Sequence, residues 1–169
     1  IRKVFTSAPE KHTDLVPEDV GLGPYEVPMP DYAKGWEFDP TPLLTWGAGN
    51  DMVGYRVEDG FLKAVTRGTD PYFYSEAVDI AAKEWAGVEI RMRVTGGKRG
   101  RFFWAERSWG FNGRSSKEFD LVADGELHVY RLDLSAVPTW KGRVRHLRFD
   151  PTDASGANVE VDYIRMVKR

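Results

Sequence analysis

Residues 101–116 combine side chains that are well suited to holding a ligand. The segment reads RFFWAERSWGFNGRSS, in which three arginines and two tryptophans stand close together. Arginine pairs with carboxylate or sulfate and stacks on flat rings, while an exposed tryptophan offers an apolar platform. Two interpretations follow. Either the rings belong to the core and the arginines point outward, or the segment forms an aromatic surface that contacts a ligand.

The first half of this segment has the pattern of a strand with mixed faces. If residues 101–107 are extended, Trp104 shares one face with Glu106, and Phe103 shares the other with Arg107. Because both faces carry a charge, at least one is partly exposed. For Trp104, core packing and a role as a ligand platform both stay open.

The second half of the segment favours a loop that displays rings. Turn-forming residues flank Trp109 and Phe111, which suits a surface loop better than a core. The ligand-binding candidates of the whole segment are Trp104, Arg107, Trp109, Phe111, Asn112 and Arg114.

A second candidate cluster lies in the sequence TRGTDPYFY. In an extended segment Tyr72 and Tyr74 share one face, and Asp70 before Pro71 suits a turn. One interpretation is a strand start with both tyrosines half in the core. The alternative places Asp70, Tyr72 and Tyr74 at the rim of the same binding surface.

The elements that must position these residues are short strands. The run GVEIRMRV alternates, with Val88, Ile90, Met92 and Val94 on one face. Further β-rich runs are separated by the turn signals EDG, TGG, ADG and ASG, and no segment has a helical period of adequate length. The pattern predicts an all-β protein, a β-sandwich or barrel with Greek-key or jelly-roll connections. Of these we expect the antiparallel two-sheet jelly-roll sandwich.

The chain divides into two regions by composition. Residues 1–34 contain five prolines between Pro9 and Pro30 and lack a periodic pattern, which predicts an arm or linker. We expect its residues Val20, Leu22, Tyr25 and Val27 to pack partly on the sandwich formed by residues 35–169. Because the chain begins at Ile1, we expect a processed protein or a module of a larger one.

Composition excludes several classes of function. The absence of cysteine excludes disulfides, thiolate metal sites and a cysteine nucleophile. A net charge of −2 argues against nonspecific binding of nucleic acid, and no apolar run predicts insertion into a membrane. Residues 61–120 nevertheless hold more basic than acidic side chains. This region is either an ordinary solvated sheet face or a surface that attracts an anionic ligand.

The order of several short blocks resembles a known group of binding modules. The blocks are WEFD, DGFLKAVTRGTDPYFYS, WAGVEIRMRV, RFFWAE and LRFDPTDASGANVEVDYIRM. They are similar to jelly-roll carbohydrate-binding modules with a galactose-binding-domain-like fold, which are attached to bacterial polysaccharide-active proteins. The resemblance covers residues 35–169. It implies a non-catalytic module of a larger multidomain chain that binds a polysaccharide or oligosaccharide in an extracellular, cell-surface or periplasmic setting.

The residues themselves agree with sugar binding. Sugars combine apolar ring faces with hydroxyl rims, so their sites pair aromatic platforms with Asn, Asp, Glu and Arg. The basic middle of the chain favours an acidic polysaccharide over a neutral one. The resemblance also implies a structural calcium ion, for which it suggests Glu37, Asp39 and Asp162, with Asp150 and Asp153 as further candidates.

Two alternative functions stay open. The first is a structural or protein-interaction sandwich within a larger extracellular protein. The second is a jelly-roll polysaccharide lyase, but His12, His128 and His146 belong to no recognisable catalytic motif. We therefore expect a binding module without catalytic activity.

Overall fold

The computed structural model describes residues 31–38 and 46–169, and strands dominate these ranges. One 3-10 turn, Ala82–Glu84, is the only helical element within them. The all-β class predicted from alternation is confirmed. The strands are β1 (Trp36–Glu37), β2 (Trp46–Ala48), β3 (Met52–Glu58), β4 (Phe61–Thr66), β5 (Phe73–Ser75), β6 (Ile80–Ala81), β7 (Trp85–Val94), β8 (Arg99–Ala105), β9 (Ser116–Asp120), β10 (His128–Asp133), β11 (Arg143–Val144), β12 (His146–Asp150) and β13 (Asn158–Lys168).

Two antiparallel sheets form the sandwich. The first sheet has the strand order β10-β7-β13-β4-β3, with β1 paired to β13. The second sheet has the order β2-β5-β12-β8-β9, and a short separate ladder joins β6 to β11. Most neighbouring strands are distant in sequence, as expected of a jelly roll.

The core lies between the two sheets and follows the alternation of the sequence. In β7, Val88, Ile90, Met92 and Val94 are fully buried. The second sheet contributes large rings to the same core, among them Phe102, whose neighbours on the strand point to the other face. The outer face of each sheet is therefore free to carry polar and aromatic groups.

Residues 31–34 precede β1 and contact the sandwich through Tyr32. The Tyr32 ring is buried, its carbonyl accepts the N–H of Met166 at 2.8 Å, and its hydroxyl accepts the N–H of Asp79 at 2.7 Å. The predicted contacts of Val20, Leu22, Tyr25 and Val27 lie outside the described residues. Within the described ranges, no helix has the length and apolar character that crossing a membrane requires.

Candidate functional site

An aromatic row formed by Tyr72, Tyr74 and Trp109 runs over the outer face of the second sheet. The ring centroids of Tyr72 and Tyr74 are 6.5 Å apart, and those of Tyr74 and Trp109 are 5.7 Å apart. Tyr74 belongs to β5, whereas Trp109 comes from the loop after β8, so two distant segments build one surface. The structure thus brings both aromatic clusters of the sequence together.

Two glycines at β2 make room for the tyrosines. A Cβ atom on Gly47 would lie 2.7 Å from Cζ of Tyr74, and one on Gly49 would lie 1.9 Å from Cε2 of Tyr72. Any larger residue would therefore collide with a ring. The two tyrosine rings can lie over the edge strand because glycine has no side chain at these two positions.

Trp109 is held in an exposed position by a strained loop. Its side chain is 65% exposed, and its φ of 57° lies in the left-handed region that non-glycine residues rarely adopt. The loop is closed by the Gly110 N–H, which donates to the Arg107 carbonyl, and by Asn112 Oδ1, which accepts the N–H of Arg114. The predicted exposure of Trp109 is confirmed.

A guanidinium group lies at the centre of the same face. Register places Arg148 of β12 beside Tyr74 of β5 and Phe103 of β8. Its Cζ atom lies 4.0 Å from the ring centroid of Tyr72 and 5.0 Å from that of Phe103. These distances permit cation–π contacts, which keep both rings and the arginine in fixed positions.

Carboxylates neutralise the arginine. Nε of Arg148 donates to Asp150 at 2.7 Å, and its Nη2 donates to Asp70. Burial works against the charge of Arg148, but its bonds to Asp150 and Asp70 raise its pKa. Burial also raises the pKa of Asp150, against the opposing effect of Arg148. The cluster is compact and leaves no excess of positive charge.

A second cluster of charged side chains continues this face toward β9. Arg99 and Arg101 both donate to Glu118, and these bonds lower the pKa of the Glu118 carboxyl. Together with Asp70 and Asp150, these side chains line a cleft of about 210 Å³. Arginine donors and carboxylate acceptors therefore share one cleft of the outer face.

A small pocket beside Trp109 completes the site. It has a volume of about 190 Å³ and is lined by Tyr74, Ala77, Trp109, Phe111 and His146. Phe111 also packs edge-on against Phe103, with centroids 6.4 Å apart. An apolar ring face could enter between these groups while its polar rim stays in water.

The predicted candidates fall into three groups. Asp70, Tyr72, Tyr74, Trp109 and Phe111 meet on the outer face, whereas Arg107, Asn112 and Arg114 are exposed on the loop around Trp109, outside the ring pocket. Trp104 is only 2% exposed, and its indole N–H donates to the Thr139 carbonyl, so we remove it from the site. It faces inward because Phe103 takes the outer side of β8.

Sequence analysis missed Arg148, Arg101 and Glu118, and it named Asp150 only as a calcium candidate. The signal for β12 was present, because His146, Arg148 and Asp150 alternate with buried Leu147 and Phe149. Only the pairing of strands reveals that this polar side lies next to the tyrosines.

The structure gives no support for a calcium site in the described part of the chain. Residues 31–38 and 46–169 contain no cluster of three metal-ligating side chains. Asp162 pairs with Arg91, Asp150 pairs with Arg148, and Asp153 accepts the N–H of Lys98. Glu37 is exposed on β1, and Asp39 lies outside the described residues. The calcium ion stays a prediction.

Comparison with known proteins establishes the fold. No protein-family model matches the sequence, and no curated protein matches it. A mutant of a family 29 carbohydrate-binding module is 9% identical, with a TM-score of 0.53, over 79% of this chain and 89% of the module. The family 11 module of a cellulosomal cellulase from Clostridium thermocellum is 16% identical, with a TM-score of 0.52, over 80% of this chain and 94% of the module.

A third solved structure has the same architecture. A low-affinity xylan-binding module of family 86 from Roseburia intestinalis is 9% identical, with a TM-score of 0.51, over 73% of this chain and 94% of the module. The predicted resemblance to carbohydrate-binding modules is thus confirmed at the level of the β-sandwich. The function must be argued from the residues on the outer face.

Proposed function

We propose that this chain is a non-catalytic carbohydrate-binding module that holds a polysaccharide along the aromatic row. The observation that carries the proposal is the exposed ring of Trp109, which continues the line of Tyr72 and Tyr74. Neighbouring rings that form one exposed apolar surface are typical of an interaction site, and apolar sugar faces stack on such rings. The xylan-binding module with the same fold makes plant polysaccharides the first ligands to test.

The row suits a single glycan chain better than a flat crystalline surface. Tyr72 and Tyr74 are inclined by 58°, and Tyr74 and Trp109 by 51°. A flat surface could not lie parallel to all three rings. A flexible chain could twist so that successive sugars follow the rings, and Asp70 and Arg148 would meet their hydroxyl rims.

The charged groups of the face support binding rather than acid–base catalysis. Asp70, Asp150 and Glu118 each accept hydrogen bonds from arginines. Their carboxylates are therefore engaged in ion pairs and are poorly placed to act as a general acid or base. We further propose that the module forms part of a larger chain in an extracellular, cell-surface or periplasmic setting, where polysaccharides are encountered.

Replacement of Trp109 tests the proposal. We expect the parent chain to bind soluble xylan or cellohexaose with a change in tryptophan fluorescence, and Trp109→Ala to lose about tenfold or more of the affinity. The thermal midpoint should change little because the ring is exposed.

The matched control is Phe61→Ala, which removes a ring from the first sheet. This variant should bind as the parent does. If a broad panel of neutral and acidic glycans gives no binding to the parent chain, the proposal fails and a structural or protein-interaction role is favoured. Release of sugar products would instead indicate an enzyme.

A further inference from the structure

The loop that carries Trp109 also borders a second cleft. Ser108, Trp109 and Phe111 line the ring pocket, while Arg107, Gly110 and Asn112 line a separate cleft of about 360 Å³. Glu106, Thr139 and Lys141 also line this cleft, which we call the charged cleft. The rest of its lining is Ser115 and the apolar side chains of Trp104, Ala105 and Val144. One loop therefore presents rings to one site and polar groups to another.

The two sites differ in charge. On the outer face, the guanidinium groups of Arg148, Arg101 and Arg99 all pair with carboxylates. In the charged cleft, Arg107 and Lys141 are exposed and, among residues 31–38 and 46–169, neither is ion-paired. Among the described residues, the arginines beside the aromatic row are thus ion-paired, whereas the two cations of the cleft are not.

Glu106 reduces the excess of positive charge but does not cancel it. It contributes one negative charge against the two cations of Arg107 and Lys141. Arg114 adds a third cation in an adjoining surface hollow, which shares Asn112, Ser115 and Thr139 with the cleft. Such a local excess of positive charge attracts an anion.

We propose that the charged cleft binds an anionic substituent, a carboxylate or a sulfate ester, of the glycan that lies on the aromatic row. This inference rests on the proposed function. Arg107 would pair with the oxygens through its planar fork, and Lys141 would supply a second positive charge. The Ser115 hydroxyl lies at the same cleft and is suited to a further hydrogen bond.

Hydrogen bonds order the loop that borders both sites. Asn112 accepts the N–H groups of Arg114 and Ser115, and its own amide donates to the Gly110 carbonyl. Thr139 donates to the Arg114 carbonyl and ties the loop to the far wall of the cleft. Arg107 and Trp109 lie two positions apart on this loop, which permits one ligand to contact both.

The test removes the two cations of the cleft. Binding of the parent and of Arg107→Gln/Lys141→Gln is measured with polygalacturonate, dextran sulfate and soluble xylan. We expect the parent to prefer at least one polyanion, and the double variant to lose about tenfold of that affinity at low salt while xylan affinity stays within about twofold. The difference should shrink as salt is added.

A matched double variant controls for overall charge. Lys34→Gln/Arg56→Gln removes two exposed cations near the first sheet and should bind every probe as the parent does. If Arg107→Gln/Lys141→Gln loses affinity for polygalacturonate alone, the cleft is a carboxylate site. If it loses affinity for dextran sulfate alone, the cleft is a sulfate site.

Other outcomes would overturn the cleft proposal, and most of them would leave the proposed function unaffected. A parent that binds xylan but no polyanion, or equal losses in the two double variants, would show that the cleft does not select an anion. If Arg107→Gln/Lys141→Gln lost equal affinity for xylan and for the polyanion, these residues would contact glycans without selecting an anion. Failure of the parent to bind any probe would count against both proposals.

Discussion

The outer faces of the two sheets both carry ion-paired arginines but differ in what surrounds them. On the first sheet, Arg131 and Arg165 donate to Glu89, whose side chain is only 5% exposed. On the second sheet, Arg148 lies over Tyr72 beside an exposed tryptophan. The first face thus buries the carboxylate of Glu89 among side chains that bind it, whereas the second face exposes an aromatic ring to solvent.

The difference teaches that a charged stripe on a strand does not reveal its role. The polar sides of β7 and β12 both alternate with buried apolar residues. The polar side of β7 is closed by ion pairs such as Arg93 with Glu160 and Arg91 with Asp162. The polar side of β12 instead borders the aromatic row, because β5 and β8 supply Tyr74 and Phe103 next to it.

The largest effect is expected on the first face. Burial disfavours ionisation of Glu89, but hydrogen bonds from Arg131, Tyr163 and Arg165 lower its pKa to about 2. Glu89→Gln should therefore cost about 3 kcal/mol of the free energy of unfolding at pH 7, measured by urea denaturation. Glycan binding should be unchanged, because Glu89 lies on the opposite sheet.

The pH dependence provides the check. Since the pKa of Glu89 is lower in the folded than in the unfolded chain, its stabilisation is complete above about pH 4.5 and is lost as the pH falls toward 2. The difference in the free energy of unfolding between the parent and Glu89→Gln should therefore disappear as the pH falls over that range. Glu160→Gln, which removes a more exposed ion pair, should cost less than about 1 kcal/mol. A similar loss of stability in Glu89→Gln and Glu160→Gln would contradict the view that the first face depends on the buried carboxylate of Glu89.

A smaller effect is expected where the aromatic row rests on β2. Gly49→Ala would place Cβ within 1.9 Å of the Tyr72 ring and displace it from Arg148. We expect a loss of about 2 kcal/mol in stability from overpacking, together with weaker glycan binding. Gly113→Ala is the control, since its Cβ would meet nothing within 4 Å. Unchanged glycan affinity in Gly49→Ala would show that Tyr72 does not belong to the binding surface.

Much of this architecture could be predicted from local pattern. Alternation in β7 identifies the four buried positions from Val88 to Val94, because side-chain direction in a strand has a period of two. Turn-forming neighbours likewise distinguish Trp109 as an exposed ring. The pattern leaves Trp104 ambiguous because both faces of its strand carry a charge. Its burial, its hydrogen bond to Thr139 and its packing against Trp140, at a centroid distance of 5.2 Å, show that it belongs to the core.

The rest depended on contacts between distant segments. Arg148 and Asp70 are 78 positions apart, and nothing local to either residue predicts their hydrogen bond. The same holds for Tyr74 and Trp109, which meet because β5 and β8 flank β12. Strand order is therefore what converts two separate sequence clusters into one candidate site.

The smallest effect concerns the backbone strain at Trp109. Its φ of 57° is unfavourable for tryptophan but is tolerated by asparagine, whose side chain bonds locally in this conformation. Because the ring is 65% exposed, its removal sacrifices little burial. Trp109→Asn should therefore raise the free energy of unfolding by about 1 kcal/mol, a shift of a few degrees in the thermal midpoint, while glycan affinity falls as in Trp109→Ala.

Trp109→Phe separates the two contributions. Phenylalanine keeps a ring at the end of the row and keeps the unfavourable φ, so its stability should match the parent and its glycan affinity should lie between those of the parent and Trp109→Asn. Calorimetric unfolding and titration with one glycan measure both quantities on the same samples. A Trp109→Asn variant that is less stable than the parent would mean that contact with Tyr74 outweighs the strain. In that case the ring would stabilise the loop, and its exposure could no longer be attributed to ligand binding alone.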